Sequence, residues 1–413
     1  MSRFLVTMLP ANDLGLPTRM VPIARALADR GHEVAVFNPA PAPGILIAEA
    51  GLTNLPMPAR PMPAPAFDLA MVSQAWDVEH FFAGVYTSED YVREALPVYL
   101  DLVRDYAPDM VIDSFDPLAC LAARILKVPL ATVLQGNFHP ASRGFLWWEE
   151  TRPADLPSAT RFVNNVAAEY GLPSLERCID VMAGDLSLIV GTPESDPVAA
   201  DADVTYIGPM VFQRRDAALP VWVNELDHGQ PLVWVYSGNP RYAPVATPID
   251  SIVVIRAAIA ALADAPVQVV LTTCYQELPA EFGALPRNFR HAAYVPGLLM
   301  AERCDLVVFH GGHSSVMTCL KAGTPAVVIP TISERESNAR RLAALGAGEV
   351  VMPIAAADGE KHIDVAEFGA KVSRVLREPS YRKSAQRVAG QMRQYGGAQA
   401  AAVRIEEFVA AGR

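Results

Sequence analysis

Asp305-Leu306-Val307-Val308-Phe309-His310-Gly311-Gly312-His313-Ser314-Ser315-Val316 is the stretch from which this chain is best read. Its apolar run has the composition of a buried strand, the glycine pair makes a turn, and a helical pattern follows. Such a turn can receive a diphosphate. Glycines without Cβ let the backbone approach an anion closely, and the amides and positive end of the next helix stabilise its charge. His310 can add a hydrogen-bond donor. The same residues also suit a tight β-to-α turn with a structural histidine, so the context has to decide.

Outward from that segment the chain alternates short β-branched runs with stretches of helical period, the pattern of parallel sheets built through right-handed crossovers. Downstream, strands are expected at Ala326 to Ile329 and Glu349 to Met352; upstream, at Leu232 to Tyr236 and Val267 to Thr272. A first series precedes these: Phe4 to Leu9, Val34 to Phe37, Met110 to Ile112, Leu130 to Leu134, Leu186 to Val190 and Thr205 to Ile207. Met20, Ile23, Ala24 and Leu27 recur at helical spacing between the first two, and Gly31 closes that helix. Two Rossmann-like, doubly wound α/β domains are therefore expected, at 1–215 and 216–413, with a linker near 212–220. Five prolines between Pro56 and Pro65 require an extended loop. Tyr381 to Ala411, rich in Ala, Arg and Gln, reads as one long helical pattern.

Composition sets the class. A length of 413 residues exceeds what one core supports. Against 34 basic residues stand 45 acidic ones, and the net charge of -11 repels phosphate backbones, which argues against a nucleic-acid partner. The five cysteines are odd in number and form no C-x-x-C pair, so neither disulfides nor zinc are expected and a reducing cytoplasm fits. The start lacks a signal-peptide pattern, and no apolar run is long enough for a membrane span. A homodimer remains open.

Further motifs follow the glycine turn: Gly323-Thr-Pro325-Ala-Val-Val-Ile-Pro330, Glu334-Arg335-Glu336-Ser337-Asn338-Ala339 and Leu345-Gly346-Ala347-Gly348. With Tyr294-Val295-Pro296 before it, this set resembles the donor signature of the GT-B glycosyltransferases of natural-product, macrolide and plant secondary-metabolite biosynthesis. Arg30-Gly31-His32-Glu33-Val34, Pro108 to Asp113 and Leu232 to Gly238 fall in family order. The resemblance implies two domains facing a central cleft, with the last helix crossing back to the first. It also implies an inverting hexosyltransferase moving a sugar from a UDP- or dTDP-sugar to a small, lipophilic, aromatic or polyketide-like acceptor, as in antibiotic biosynthesis. The nucleotide sugar is a co-substrate, and neither metal nor other cofactor is expected. By position, Val295 presents backbone to the base, His310, Gly311, Gly312, Ser314 and Ser315 hold the diphosphate, and Ser237 and Gly238 lie nearby. Glu334-Arg335 stands where relatives carry Asp-Gln for the sugar, and Thr318 where many carry a ribose-binding glutamate. A solvated helix start is the alternative reading of Glu334 and Arg335.

One family feature is missing. Relatives usually have Gly-His after the first strand, where the histidine deprotonates the acceptor and an aspartate orients it. Here Leu16 or Leu14 takes that position, while the aspartate remains as Asp113, with Asp116 close behind. Asp13, in the same loop, is the first candidate base; the competing role is a helix N-cap. His139 and His80 follow as weaker candidates. Trp76, Phe81, Phe82, Tyr86, Tyr91, Trp147 and Trp148 are either acceptor-pocket residues or ordinary core. Asp201-Ala-Asp203 imitates a metal-binding D-x-D but stands before a short strand in the linker region. The competing functions are a GT-B epimerase, a transferase to lipid acceptors, and a catalytically inactive auxiliary protein.

Overall fold

The computed structural model describes residues 1–412 except 12, 65, 215, 244, 245 and 357–359, so Asn12 and Pro65 lie outside the described residues. The chain divides into two units, Met1–Phe212 with Tyr395–Arg413, and Gln213–Gln394.

In the first unit the strands are β1 (Arg3–Met8), β2 (Glu33–Phe37), β3 (Thr53–Asn54), β4 (Met110–Ser114), β5 (Leu130–Leu134), β6 (Leu186–Ile189) and β7 (Thr205–Tyr206). They form a parallel sheet in the order β3-β2-β1-β4-β5-β6-β7. Side chains alternate across it as the pleat requires. Phe4, Val6 and Met8 pack with Met20, Ile23 and Leu27 of the helix Pro17–Asp29, whereas Leu5 joins Leu96 and Tyr99 of the helix Glu89–Tyr106 on the other face. Both faces are covered, which explains why β4 and β5 are buried at every residue.

The second unit repeats the plan with β8 (Leu232–Tyr236), β9 (Gln268–Thr272), β10 (Phe289–Ala292), β11 (Leu306–Phe309), β12 (Ala326–Val328) and β13 (Gly348–Val350). The order is β10-β9-β8-β11-β12-β13, again parallel. Val233, Val235, Leu306 and Val308 meet the helices Ile252–Leu262 and Val365–Arg377 on one face. A hairpin of β14 (Ile354–Ala355) and β15 (Lys361–His362) follows.

The tail departs from the single long helical pattern of the sequence. Two helices form, Pro379–Met392 and Gly397–Ala410, because the adjacent Gly396 and Gly397 are poor helix formers. Ala401, Ala402 and Ile405 of the second helix enter the core beside Ile23 and Leu27, and the Gly397 amide bonds Ile207 O at 2.8 Å. A polar clasp completes the seat. Glu406 accepts from Arg30 Nε at 2.8 Å and Nη2 at 2.5 Å, and meets His32 Nε2 at 2.6 Å. His32 Nδ1 accepts the Ser2 amide at 3.2 Å, so the neutral ring carries its proton on Nε2 and donates it to Glu406.

These partners, Arg30 foremost, hold the Glu406 carboxyl down at about 2, from an ordinary value of 4.5. A depressed carboxyl contributes stability that is complete above its unfolded value and is lost as pH falls from 4.5 towards 2. Glu406→Gln is therefore expected to destabilise the protein at pH 7 by about 1 kcal/mol, a drop in Tm of roughly 2–4 °C. The gap from the parent should narrow as pH falls through 4.5 and close towards pH 2. Thermal melts of both proteins across this range and up to neutral pH check this; a gap independent of pH would remove the clasp from the account.

Candidate functional site

In each sheet the first and fourth strands of the unit lie side by side, and the chain leaves their carboxyl ends in opposite directions. The crevice there is where open α/β sheets bind ligands. In the second sheet β8 and β11 pair with Tyr236 opposite Phe309, so Ser237-Gly238 and His310-Gly311-Gly312 leave the sheet together. A Cβ on Gly238, whose φ is +67°, would stand 2.7 Å from the His310 ring. Gly311, at φ +92°, passes so close to the next helix that a Cβ would meet Arg335 O at 2.7 Å. The helix His313–Ala322 begins at Gly312, which offers no side-chain cap, and its first turn has no acid. Its leading amides form a positive end with no acid within its own first turn, although the Ser315 amide already bonds Gly312 O at 3.0 Å.

His310 is buried, and burial, reinforced by the nearby Arg335 guanidinium, pushes its ring well below the usual imidazole range. The ring is neutral at pH 7, and its buried Nδ1 has no hydrogen-bond partner among the described residues. Ser237 is fully buried and its hydroxyl turns to the carbonyls of Gly238 and Thr272. Thr318 donates to Ser314 O within its helix at 2.8 Å. Asn338 locks two parts together, donating to Gly311 O at 3.0 Å and to Glu334 Oε1 at 2.7 Å. Val295, buried between β10 and the helix Gly297–Arg303, follows Tyr294, which stacks on Tyr275 at 4.5 Å. All ten residues named for the donor thus lie in one unit, around the ends of β8 and β11 and the starts of the helices His313–Ala322 and Ser333–Ala344, with Val295 after β10.

In the first sheet the equivalent neighbours are β1 and β4, with Thr7 opposite Asp113. Thr7 Oγ1 donates to Asp113 Oδ1 at 2.7 Å, while Oδ2 accepts the Asp116 amide at 2.9 Å and Cys120 Sγ at 3.4 Å. Asp116 in turn accepts from Tyr99 at 2.5 Å and caps the helix Pro117–Leu126. Both carboxyls are buried, and burial, with the charge of Asp116 added at Asp113, raises them above the usual carboxylate range. Asp113 is thus bonded to Thr7 and to its own loop. Asp13 accepts the Gly15 amide at 2.8 Å in an Asx turn, and the helix N-cap is Leu16, without a side-chain bond. Leu14 and Leu16 pack on the core. His139 Nδ1 accepts the Ala141 amide at 3.1 Å, which leaves the ring proton on Nε2, and burial lowers the ring to about 4. His80 accepts the Trp76 amide and is likewise lowered by burial.

Phe82 and Tyr86 are core residues, and Phe81 and Tyr91 pack against them. Trp147 and Trp148 stack at 4.1 Å, with Arg143 over Trp147 at 5.2 Å. Thr7 was not singled out from the sequence; only the register of β1 on β4 reveals it.

Residues 256–407 match the family described as Erythromycin biosynthesis protein CIII-like, C-terminal domain. The chain is 33% identical over 152 residues to the NDP-glycosyltransferase YjiC of Bacillus licheniformis, a stretch covering 37% of each protein. Its fold superposes on the spinosyn forosaminyltransferase SpnP with a TM-score of 0.70, at 22% identity over 99% of both chains. The glycosyltransferase VinC in complex with dTDP gives a TM-score of 0.67 at 21% identity, over 98% of this chain and 99% of that one. The fold is GT-B. In sequence the chain is similar to glycosyltransferases over part of its length and in fold over nearly all of it, and among its described residues no helix is long and apolar enough to cross a membrane.

The GT-B glycine turn yields a direct test. Gly311→Ala forces a side chain into a left-handed φ and against the Arg335 carbonyl, a strain of about 1–3 kcal/mol. A lower Tm is expected, with weaker binding of UDP or dTDP. A variant that melts and binds as the parent does would show that the turn is not as tight as drawn.

Proposed function

We propose that the protein is an inverting glycosyltransferase that transfers a hexose from a UDP- or dTDP-sugar to a small lipophilic, aromatic or polyketide-like acceptor. The observation that carries the reading is the pairing of a neutral His310, with its unpartnered Nδ1, and the uncapped helix His313–Ala322 at one switch point. A diphosphate there receives amide donors from the helix start and an uncharged ring donor from His310. The dTDP held by VinC, a protein of the same fold, supports a thymidine or uridine donor here.

In the proposed reaction Asp13 takes the proton of the acceptor hydroxyl. The oxygen attacks the anomeric carbon on the face opposite the diphosphate, the carbon–oxygen bond to the diphosphate breaks, and its electron pair leaves with the nucleotide. The helix amides and His310 stabilise the departing charge. Asp113 is a positioning residue, holding Thr7 and the end of β1 behind the Asp13 loop. Trp147 and Trp148 offer an apolar platform to the acceptor. Five free thiols fit a cytoplasmic enzyme. A second reading is a relative that binds the donor without turnover; what favours it is the resemblance, by which Leu16 or Leu14, both packed on the core, stands where relatives carry the histidine.

Thermal shift with UDP, dTDP and GDP tests the donor. At 100 times its dissociation constant a ligand adds about 2.7 kcal/mol. His310→Ala should weaken the best nucleotide by about 1.5–3 kcal/mol, the size of a hydrogen bond to a charged group. If no nucleoside diphosphate raises the Tm of the parent, the donor reading is wrong.

Asp13→Asn tests the base. It keeps the Asx turn to Gly15 while removing basicity, so turnover should fall about 10²–10⁴-fold with little change in Tm. Full turnover in the variant would remove Asp13 from catalysis, and absence of any turnover or donor hydrolysis in the parent would favour the non-catalytic reading.

A further inference from the structure

In the first unit, the loop that follows β5 carries charge that the transfer reading does not use. It leaves the carboxyl end of β5, the strand beside β4, and so stands at the same edge of the sheet as the loops of Asp13 and Asp113. Phe138 of this loop stacks on Phe115, two residues after Asp113, at 3.7 Å. Further along, Arg143 lines a cavity of about 510 Å³, together with Arg152, Glu176 and Arg177 and an apolar wall of Val78, Pro140 and Ile179. That volume lies within the roughly 300–1,000 Å³ of small-molecule sites.

The loop is anchored on both sides of Arg143. Ser142 Oγ donates to Asn137 O at 3.2 Å and accepts the Gly144 amide at 3.3 Å, and the Phe145 amide donates to Trp76 O at 2.7 Å. Gly144, at φ +101°, passes so near that a Cβ would stand 2.9 Å from Trp76 O. Across the cavity Arg177 Nη2 donates to Pro140 O at 3.1 Å.

The charges around the cavity differ in what they have left to offer. Asp77 accepts from Arg152 and from the His80 amide, while the buried Glu79 accepts from Ser158, Thr160, Cys178 and the Ile179 amide. Arg152 and Arg177 each already hold an acid. Arg143 holds none. Its guanidinium carbon lies 5.2 Å from the centre of the Trp147 ring, and all five of its N–H groups lack an acceptor among the described residues. Glu176, exposed, is the one lining acid without a partner among the described residues.

We propose that this cavity receives the carboxylate of the acceptor, with Arg143 selecting hydroxy-substituted aromatic acids over neutral acceptors. This rests on the acceptor half of the transfer reading above. The Trp147 ring restrains the guanidinium through its charge and leaves the planar fork open, and a carboxylate matches that fork with two parallel hydrogen bonds where an ester or amide cannot. Val78, Pro140 and Ile179 give the ring an apolar wall, and the ring's hydroxyl is left for transfer.

The test is calorimetry on the full chain with para-coumarate, its methyl ester and inorganic phosphate. The acid should bind the parent roughly tenfold more tightly than the ester. Arg143→Gln should bring the acid down to the level of the ester and leave the ester unchanged, and Arg143→Lys, which keeps charge but not the fork, should retain part of the preference. Glu176→Gln removes a like charge from the rim and should tighten the acid by roughly twofold. Equal affinity of the parent for acid and ester overturns the proposal, and this arm needs no variant to fold. So does a preference that survives Arg143→Gln, or phosphate binding as tightly as the acid, since the site then reads charge without the ring. The titration needs neither nucleotide nor turnover, so its outcome is independent of whether transfer occurs. An acid that binds with this preference yet is never glycosylated while the donor is hydrolysed overturns the assignment to the acceptor.

Discussion

Parallel pairing of each unit's first strand with its fourth is the constraint on which both candidate sites depend. With Thr7 opposite Asp113 and Tyr236 opposite Phe309, the residues after each strand are delivered to one point by a rigid ladder of buried backbone hydrogen bonds. Connections on either side then run to opposite faces, so no crossover covers the point. What the two points do with this opening differs. In the second unit glycines let the His310 ring and the Arg335 backbone approach closely; in the first, side chains fill it.

That difference is electrostatic as well as steric. At the end of β11 the start of the helix His313–Ala322, with no acid in its own first turn, offers its positive end, which suits a ligand that brings its own negative charge. At the end of β4, Asp113 and Asp116 are buried within one hydrogen-bonded loop with Thr7, Tyr99 and Cys120, and both rise because burial disfavours their charged forms. A pair of that kind stays sealed and stiffens the turn, including Phe115 at φ +67°, which stacks on Phe138 at 3.7 Å. A left-handed phenylalanine persists only where surrounding contacts over-determine it.

Much of this was legible in the sequence because periodicity and glycine placement act locally. Runs such as Leu306–Phe309 and Leu130–Leu134 are buried on both faces, so their patterns have no competing reading. The strands that escaped notice were short or half-exposed: β3 has two residues, and β10 alternates between Phe289, buried, and Arg290, exposed. The break in the tail hinges on two glycines inside an otherwise favourable helical composition, where propensity and pattern conflict. Site chemistry was less legible wherever it depends on distant partners. The seat of Arg335 shows this: Ile249, Ser251 and Tyr242, more than 80 residues earlier, close around it. The Thr7 bond to Asp113 spans 106 residues and leaves no local trace.

On the proposed reading, in which Asp13 stands in for a histidine, the base also bears on the acceptor. An imidazole can take a proton from an alcohol as the new bond forms, because its own basicity sits near neutrality. A carboxylate is ordinarily the weaker base of the two. Proton transfer to such a group becomes favourable only as the donor hydroxyl grows more acidic, and a phenol, near 10 on the usual scale for tyrosine, is far closer to that condition than an aliphatic alcohol. The proposed mechanism therefore selects its own substrates. An aromatic hydroxyl or a carboxylic acid suits the Asp13 loop, and the stacked Trp147 and Trp148 suit the flat ring that carries such a group.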